Sequence, residues 1–378
     1  MSVQLTPQHI PPFPGNKADF YGRRGWEDGI HDGFAEGYLR GRAKVIMGTP
    51  RQGFPFRQIK VLYVGSGKEF PYSPIDEAII ATLETLAAEV VVTVNGQPVH
   101  ELAASHRPDL VLVLDGMEFP TEQVDAIRGL GIRTAIWLTD DPYYMDFTTR
   151  IAPHYDYVFT LERNCVEYYR SIGCSNVFFL PFAAYSEHFG PTLNLSPVRR
   201  RISFIGSAYL NRIQFFQPIL GDLMGKGMMI NGIWWDRLPE YANYANQIEL
   251  NKWMGPQETA QVYSGSKIVI NLHRSAYDEA VNNNTIGLVG VSPNPRTFEI
   301  SACATLQIVD VRDDIASFYT PGVEIETYSN QQELIDKVNF YLTHEKERQE
   351  IALRALERTY RDHLYSNRVN QLLEHVFG

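Results

Sequence analysis

Short apolar segments rich in β-branched residues alternate with helix-compatible stretches in two successive series, and this alternation limits the possible folds more than any other feature of the chain. The first series places strands at 59–64, 90–94, 110–114, 134–138, 157–160 and 177–180, with helices at 76–88, 98–105, 121–129 and 163–172. Strand–helix–strand repeats of this length pair in parallel, through right-handed crossovers that cover both faces of a sheet. A loop-like connection at 185–197 comes next, and the alternation restarts with strands at 202–205, 228–235, 268–272, 304–309 and 323–327. Helices are expected at 211–225, 256–264, 295–301, 315–318 and 331–343, and a long amphipathic one over 345–374. With 378 residues, the chain exceeds what one ordinary hydrophobic core accommodates. The expectation is α/β: two Rossmann-like, doubly wound domains over 58–190 and 198–355, preceded by an extension (1–57) and followed by a terminal helix (356–378).

The extension carries Gly25, Gly29, Gly33, Gly37 and Gly41 at intervals of four. On a helix they form one smooth stripe, and each costs about 1 kcal/mol relative to alanine. Close approach of a second backbone is the physical compensation, either from a partner copy in a homodimer or from the chain's own domain. Arg23, Arg24, Glu27, Asp28 and Asp32 on the same segment exclude a membrane setting for it.

A net charge of −10 argues against nucleic acid as a partner, because neutralising phosphates takes clustered Lys and Arg. The apolar runs are strand-sized, so no membrane span is expected. Four prolines among the first twenty residues leave no room for a signal peptide's apolar run. Cys165, Cys174 and Cys303 have no metal-ligand spacing and read as reduced thiols in a cytoplasmic protein.

Ligands of open α/β sheets bind beyond the carboxyl ends of strands. Gly206 and Ser207 end one expected strand, and Arg212 enters the next helix: a phosphate cradle, or an ordinary strand–helix turn. Asn271 and His273 come directly after another strand and face the same edge. In the stretch Asn294-Pro295-Arg296-Thr297-Phe298-Glu299, Arg296 is placed to clamp a pyrophosphate and Glu299 to accept ribose hydroxyls; the alternative is a capping carboxylate with a surface arginine. Asp140 and Asp141, stopped by Pro142, offer a general base or a hydroxyl acceptor, with helix capping as the alternative. Asp115 has a similar position. No metal signature, P-loop or nucleophile elbow is present.

Together these segments resemble the CgeB-like spore-maturation glycosyltransferases. The resemblance rests on 294–304 (NPRTFEISACA), Val309-Asp310, Tyr328, Glu333-Leu334, 341–344 (YLTH), Arg348, Ile351-Ala352, His363 and Arg368, with Thr139-Asp140-Asp141-Pro142 and 204–207 (FIGS) upstream. It covers roughly 58–378 and is strongest over the last ninety residues. It implies a GT-B fold, with a nucleotide sugar (a UDP-sugar foremost) on the second domain, an unidentified acceptor on the first and the terminal helix crossing back. Gly206, Arg212 and Arg296 would then meet the diphosphate and Glu299 the ribose, with Met254 and Gly255 beside the base and no metal or other cofactor. Two positions depart from the pattern. Val291 stands where retaining relatives often carry a second glutamate, and Ala304 where glycine is usual. Val291 keeps open a non-catalytic sugar- or nucleotide-binding protein, and the glycine-striped helix, as a docking element, an assembly protein of a spore or surface layer.

Overall fold

The computed structural model describes residues 17–51, 53–192, 199–278 and 281–378. Two six-stranded parallel sheets form, as the alternation requires. The first contains β1 (Arg57–Gly65), β2 (Ala87–Val94), β3 (Leu110–Leu114), β4 (Arg133–Trp137), β5 (Tyr157–Thr160) and β6 (Asn176–Phe179), in the order β2-β1-β3-β4-β5-β6. The second contains β7 (Arg200–Ile205), β8 (Met228–Gly232), β9 (Ile248–Leu250), β10 (Ser266–Asn271), β11 (Leu306–Asp310) and β12 (Glu326–Tyr328), in the order β12-β11-β10-β7-β8-β9. β3 is buried along its whole length, as a strand covered by helices on both faces must be.

Three elements depart from expectation, of which β9 was not expected at all. β9 has only three residues, too few to show any period. The helix expected at 211–225 is interrupted by a 3₁₀ turn at Gln217–Ile219, where Pro218 lacks a donor. The long terminal helix is two helices, Glu345–Asp362 and Tyr365–Phe377. Between them the chain runs extended, with Ala184 N–H donating to His363 O (3.1 Å) and Tyr365 N–H to Ala184 O (3.2 Å). The first helix stays with the second domain, burying Leu353, Leu356 and Tyr360 there. The second crosses back: Tyr365, Val369, Leu372, Leu373 and Val376 pack with Ile79, Leu83 and Trp137 of the first domain. The crossing therefore starts at 365 rather than at 356.

The glycine-striped segment forms a helix over Lys17–Gly48. Its attachment uses Leu39 and Ala43, buried against the second domain, with Gln349 Nε2 donating to Ala35 O (3.1 Å) and Arg40 Nη2 to Ser264 O (2.9 Å). Apart from the helix's own neighbouring backbone, no described atom lies within 4 Å of where a side chain would begin at any of the five glycines.

Polar contacts lock the domains along one seam. Asn283 N–H donates to Tyr143 O (2.8 Å) and Asp146 N–H to Asn283 O (2.9 Å). Glu162 accepts from Ser292 N–H and Oγ (3.1 Å each), and Arg163 pairs with Asp314 (2.9 Å).

Candidate active site

Both sheets reverse their winding beside their central strands, and each reversal opens a crevice at the strands' carboxyl ends. In the second sheet it lies between β7 and β10; in the first, between β1 and β3. The two crevices face one interdomain cavity of about 540 Å³.

Gly206, Ser207 and Arg212 line it from the β7 edge. Gly206 and Gly232 let the ends of β7 and β8 approach closely: a Cβ at Gly232 would sit 2.1 Å from Gly206 O. That same oxygen accepts from Trp235 Nε1 at 2.8 Å. Arg212 is 2% exposed and gives its donors to carbonyls, Nε and Nη2 to Leu272 O (3.0 and 2.7 Å) and Nη1 to Ser207 O (3.0 Å). No carboxylate among the described residues pairs with it. Burial, then the neighbouring Arg296 charge, pulls its pKa down to about 9. An arginine held in this way carries an uncompensated charge whose natural complement is an anion.

Two further arginines line the cavity, together with Lys252, which is paired with Glu249 and Glu258. Arg296 opens the helix Pro295–Ala302, whose N-terminal end faces the cavity and whose cap is Asn294 Oδ1, accepting from Thr297 N–H at 3.1 Å. Arg274, directly after His273, donates Nη2 to Val281 O (2.7 Å) and lies among three tyrosine rings: Tyr143 and Tyr209 at 4.5 Å, Tyr144 at 5.7 Å. Its Nε is buried with no partner among the described residues. No ion pair to Arg274 or Arg296 forms among those residues either. Glu299, one turn into the same helix, faces the cavity with no hydrogen bond among the described residues; burial raises its pKa to about 7 against the opposing charge of Arg296.

Other expected residues take supporting places. His273 lines the cavity, but both ring nitrogens are committed. Nε2 accepts from Asn294 N–H (2.9 Å), so Nδ1 carries the proton and donates to Asp310 Oδ1 (2.5 Å). It fixes the start of the arginine-bearing helix and has no donor left for a phosphate, which corrects the expectation. Asn271, Thr297 and Phe298 stand behind the wall. Asn271 bonds Asn294 and Thr297 (3.1 and 3.2 Å), and Phe298 packs against Phe318 and Tyr319. Trp253 and Met254 line the cavity, whereas Gly255 only precedes the helix Pro256–Gly265.

The paired aspartates separate in role. Asp141, 5% exposed, accepts from Thr160 Oγ1 (2.6 Å), Tyr169 OH (2.9 Å) and Thr148 Oγ1 (3.3 Å). Burial raises its pKa to about 6, and these bonds oppose the rise. It ties together the loop after β4 and is no candidate base, which corrects that expectation. Asp140 turns into the cavity, with Oδ2 accepting from Tyr72 OH (2.8 Å) and Thr139 Oγ1 (3.0 Å). Its pKa is raised, first by burial, with Asp115 adding to the rise. Asp115 holds Thr139 Oγ1 at 2.5 Å and Lys68 Nζ at 2.7 Å.

The sequence reading missed Arg274 and the tyrosines around it. Arg274 met the strand-end criterion that selected Asn271 and His273. The tyrosines had no local signal, because Tyr143 and Tyr209 belong to different domains. Among the described residues, no three His, Cys, Asp or Glu side chains cluster as metal ligands, and no helix is long and apolar enough to cross a membrane.

A family model described as glycosyl transferase-like matches residues 211–374. By sequence the chain is similar to the spore protein CgeB of Bacillus subtilis (strain 168), 29% identical over 297 residues, which is 78% of this chain and 91% of that one. Among solved structures, the sucrose-phosphate synthase of Thermosynechococcus elongatus aligns with a TM-score of 0.57 at 11% identity, over 85% of this chain and 99% of that chain. Anabaena HepE, solved in complex with UDP and glucose, gives a TM-score of 0.57 at 11% identity, over 84% and 98%. At such identities these structures speak to fold alone, and they agree with the two facing sheets. By sequence the chain is similar to CgeB, its residues 211–374 match the glycosyltransferase-like model, and it is built on the GT-B fold.

Proposed function

We propose that this protein transfers a sugar from a nucleoside diphosphate sugar, a UDP-sugar first among them, to an acceptor hydroxyl. One observation carries the reading: Arg212, Arg274 and Arg296, none paired with a carboxylate among the described residues, converge with Glu299 on one cavity at the second sheet's switch point. Three cations around a helix N-terminus suit a diphosphate, and Glu299 suits ribose hydroxyls. The arginines then carry the charge that grows on the departing diphosphate, without a divalent cation. Asp140, across the cavity, is the base that takes the acceptor's proton; a single displacement of this kind inverts the anomeric centre. HepE, of the same fold, was solved with UDP and glucose, which lends support to UDP-sugar as the donor. A cytoplasmic setting belongs to the proposal, and the three cysteines are buried and unpaired.

The test is a thermal-shift screen with UDP-, GDP-, ADP- and dTDP-sugars, followed by nucleoside diphosphate release with and without EDTA. A donor at 100 times its Kd stabilises the native state by about 2.7 kcal/mol. Arg296→Ala should abolish release with the melting temperature kept, and EDTA should leave the wild-type rate unchanged. Unaltered turnover in Arg296→Ala, or no response to any donor, refutes the reading.

A further inference from the structure

The helix Lys17–Gly48 has one apolar face that no described residue covers. Its fully buried residues are Leu39 and Ala43, which pack on the second domain. Between Gly25 and Phe34 every described side chain is exposed. At about 100° per residue, Trp26, Ile30, Phe34, Tyr38 and Val45 fall within about 60° of the direction opposite Leu39 and Ala43, with Gly37 and Gly41 among them. Their exposure runs from 49% at Tyr38 to 77% at Phe34.

Single apolar side chains on a surface need no explanation, but five along one helix face do. Outside the helix's own neighbouring backbone, nothing described lies within 4 Å of a Cβ at Gly37 or Gly41. The chain's own domain therefore supplies none of the close packing that offsets a cost of about 1 kcal/mol for each glycine. A helical segment with glycine at every turn and nothing packed on it is marginal in water.

Charge selects the occupant. Residues 27–36 contain four carboxylates and no Lys or Arg, whereas residues 37–48 contain Arg40, Arg42 and Lys44 and no carboxylate. Two such helices laid antiparallel set the acidic half of each against the basic half of the other, and a parallel pair sets like against like. Arg40 pairs with Glu36 (2.6 Å) and Arg42 Nη1 donates to Tyr38 OH (2.7 Å). Glu27 and Lys44, toward opposite ends, form no ion pair among the described residues. Each of the five exposed side chains offers on the order of 100 Å². Over two copies, pairing removes about 1,000 Å² from water, the least that a specific interface needs.

We propose that this face joins two copies of the chain as an antiparallel helix pair, with the two-fold axis near Gly37. Phe34 of each copy then lies over the hollow at Gly37 and Gly41 of the other, and Glu27 meets Lys44 across the axis, so one patch is complementary to itself. The pairing does not depend on the glycosyl-transfer reading.

Analytical ultracentrifugation of the full chain tests this. The wild type should sediment at twice the 43.1 kDa of one chain. Phe34→Glu, at an exposed site, should sediment as a monomer and keep the circular dichroism of a folded protein. Glu27→Lys and Lys44→Glu should each raise the dimer's dissociation constant about 10-fold, and the double variant should restore it. A wild type that is monomeric at about 100 μM overturns the proposal, whether the face then binds anionic phosphatidylglycerol vesicles or pairs only after residues 1–16 are deleted. A dimer that survives Phe34→Glu overturns it as well. A double variant no tighter than the single ones overturns the antiparallel pairing, and the proposal with it.

Discussion

Asp115→Asn and Lys68→Met perturb the proposed base from opposite sides. Asp115 and Asp140 reach the same Thr139 hydroxyl, at 2.5 Å and 3.0 Å, so the two carboxylate oxygens lie within about 5.5 Å of each other. A charge on Asp115 raises the cost of ionising Asp140, as does its burial. Lys68, 2.7 Å from the other oxygen of Asp115, opposes this effect. Asp140 must be ionised to accept a proton, so its pKa sets the acidic limb of kcat/KM. Removing the Asp115 charge should move that limb to lower pH, and removing the Lys68 charge should move it to higher pH. Asparagine is the right replacement because Asp115 sits at φ +68°, a conformation that Asn tolerates. The assay is donor turnover with saturating acceptor from pH 4.5 to 9, with melting temperatures recorded for each variant. Shifts in the same direction, or a limb unmoved in both variants while the fold survives, would refute the placement of the base at Asp140.

Three other perturbations have equally definite outcomes. Glu299, held near pKa 7 by burial, should ionise when ribose hydroxyls donate to it, so UDP binding at pH 6.5 should release protons; calorimetry in buffers of differing ionisation enthalpy reads this, and Glu299→Gln should abolish the release. The same raised pKa means the native carboxylate holds its proton longer than the unfolded one, so this residue's contribution to stability falls as pH rises from about 4.5 to 7, a slope that the Gln variant should lack in denaturant titrations. Gly232→Ala would drive a methyl into Gly206 O, 2.1 Å away, and should cost at least about 2 kcal/mol by urea unfolding, with donor affinity lost; a wild-type Kd would show that the β7–β8 approach does not shape the cavity. Leu372→Ala, fully buried between the crossing helix and the first domain, should cost about 2–5 kcal/mol, and a loss under 1 kcal/mol would mean that the helix docks weakly.

Much of the fold was legible because a parallel sheet writes itself as apolar runs that match its strands. β3 appears in the sequence as LVLVL with the bounds it has in the structure. β9 was illegible because three residues carry no period, and the break at 363–364 because the apolar pattern continues through it. Gly206, Arg212, Arg296 and Glu299 were legible as ligand-suited residues at strand ends and helix starts, and all four line the cavity. The same rule selected His273 and Asp141, which prove to be structural: an unused hydrogen-bonding group and a saturated one look alike until their partners are placed.

What the sequence determined by itself was the topology class and the chemistry available at the strand ends, since both derive from local periodicity and residue type. The partition of that chemistry was decided only in three dimensions. Arg274 gains its meaning from Tyr143 and Tyr209, which come from different domains, and Asp140 from Tyr72 and Asp115, which are far away in the chain. Burial and charge pairing depend on distance in space, and here that distance is set by the docking of two sheets rather than by any stretch of residues.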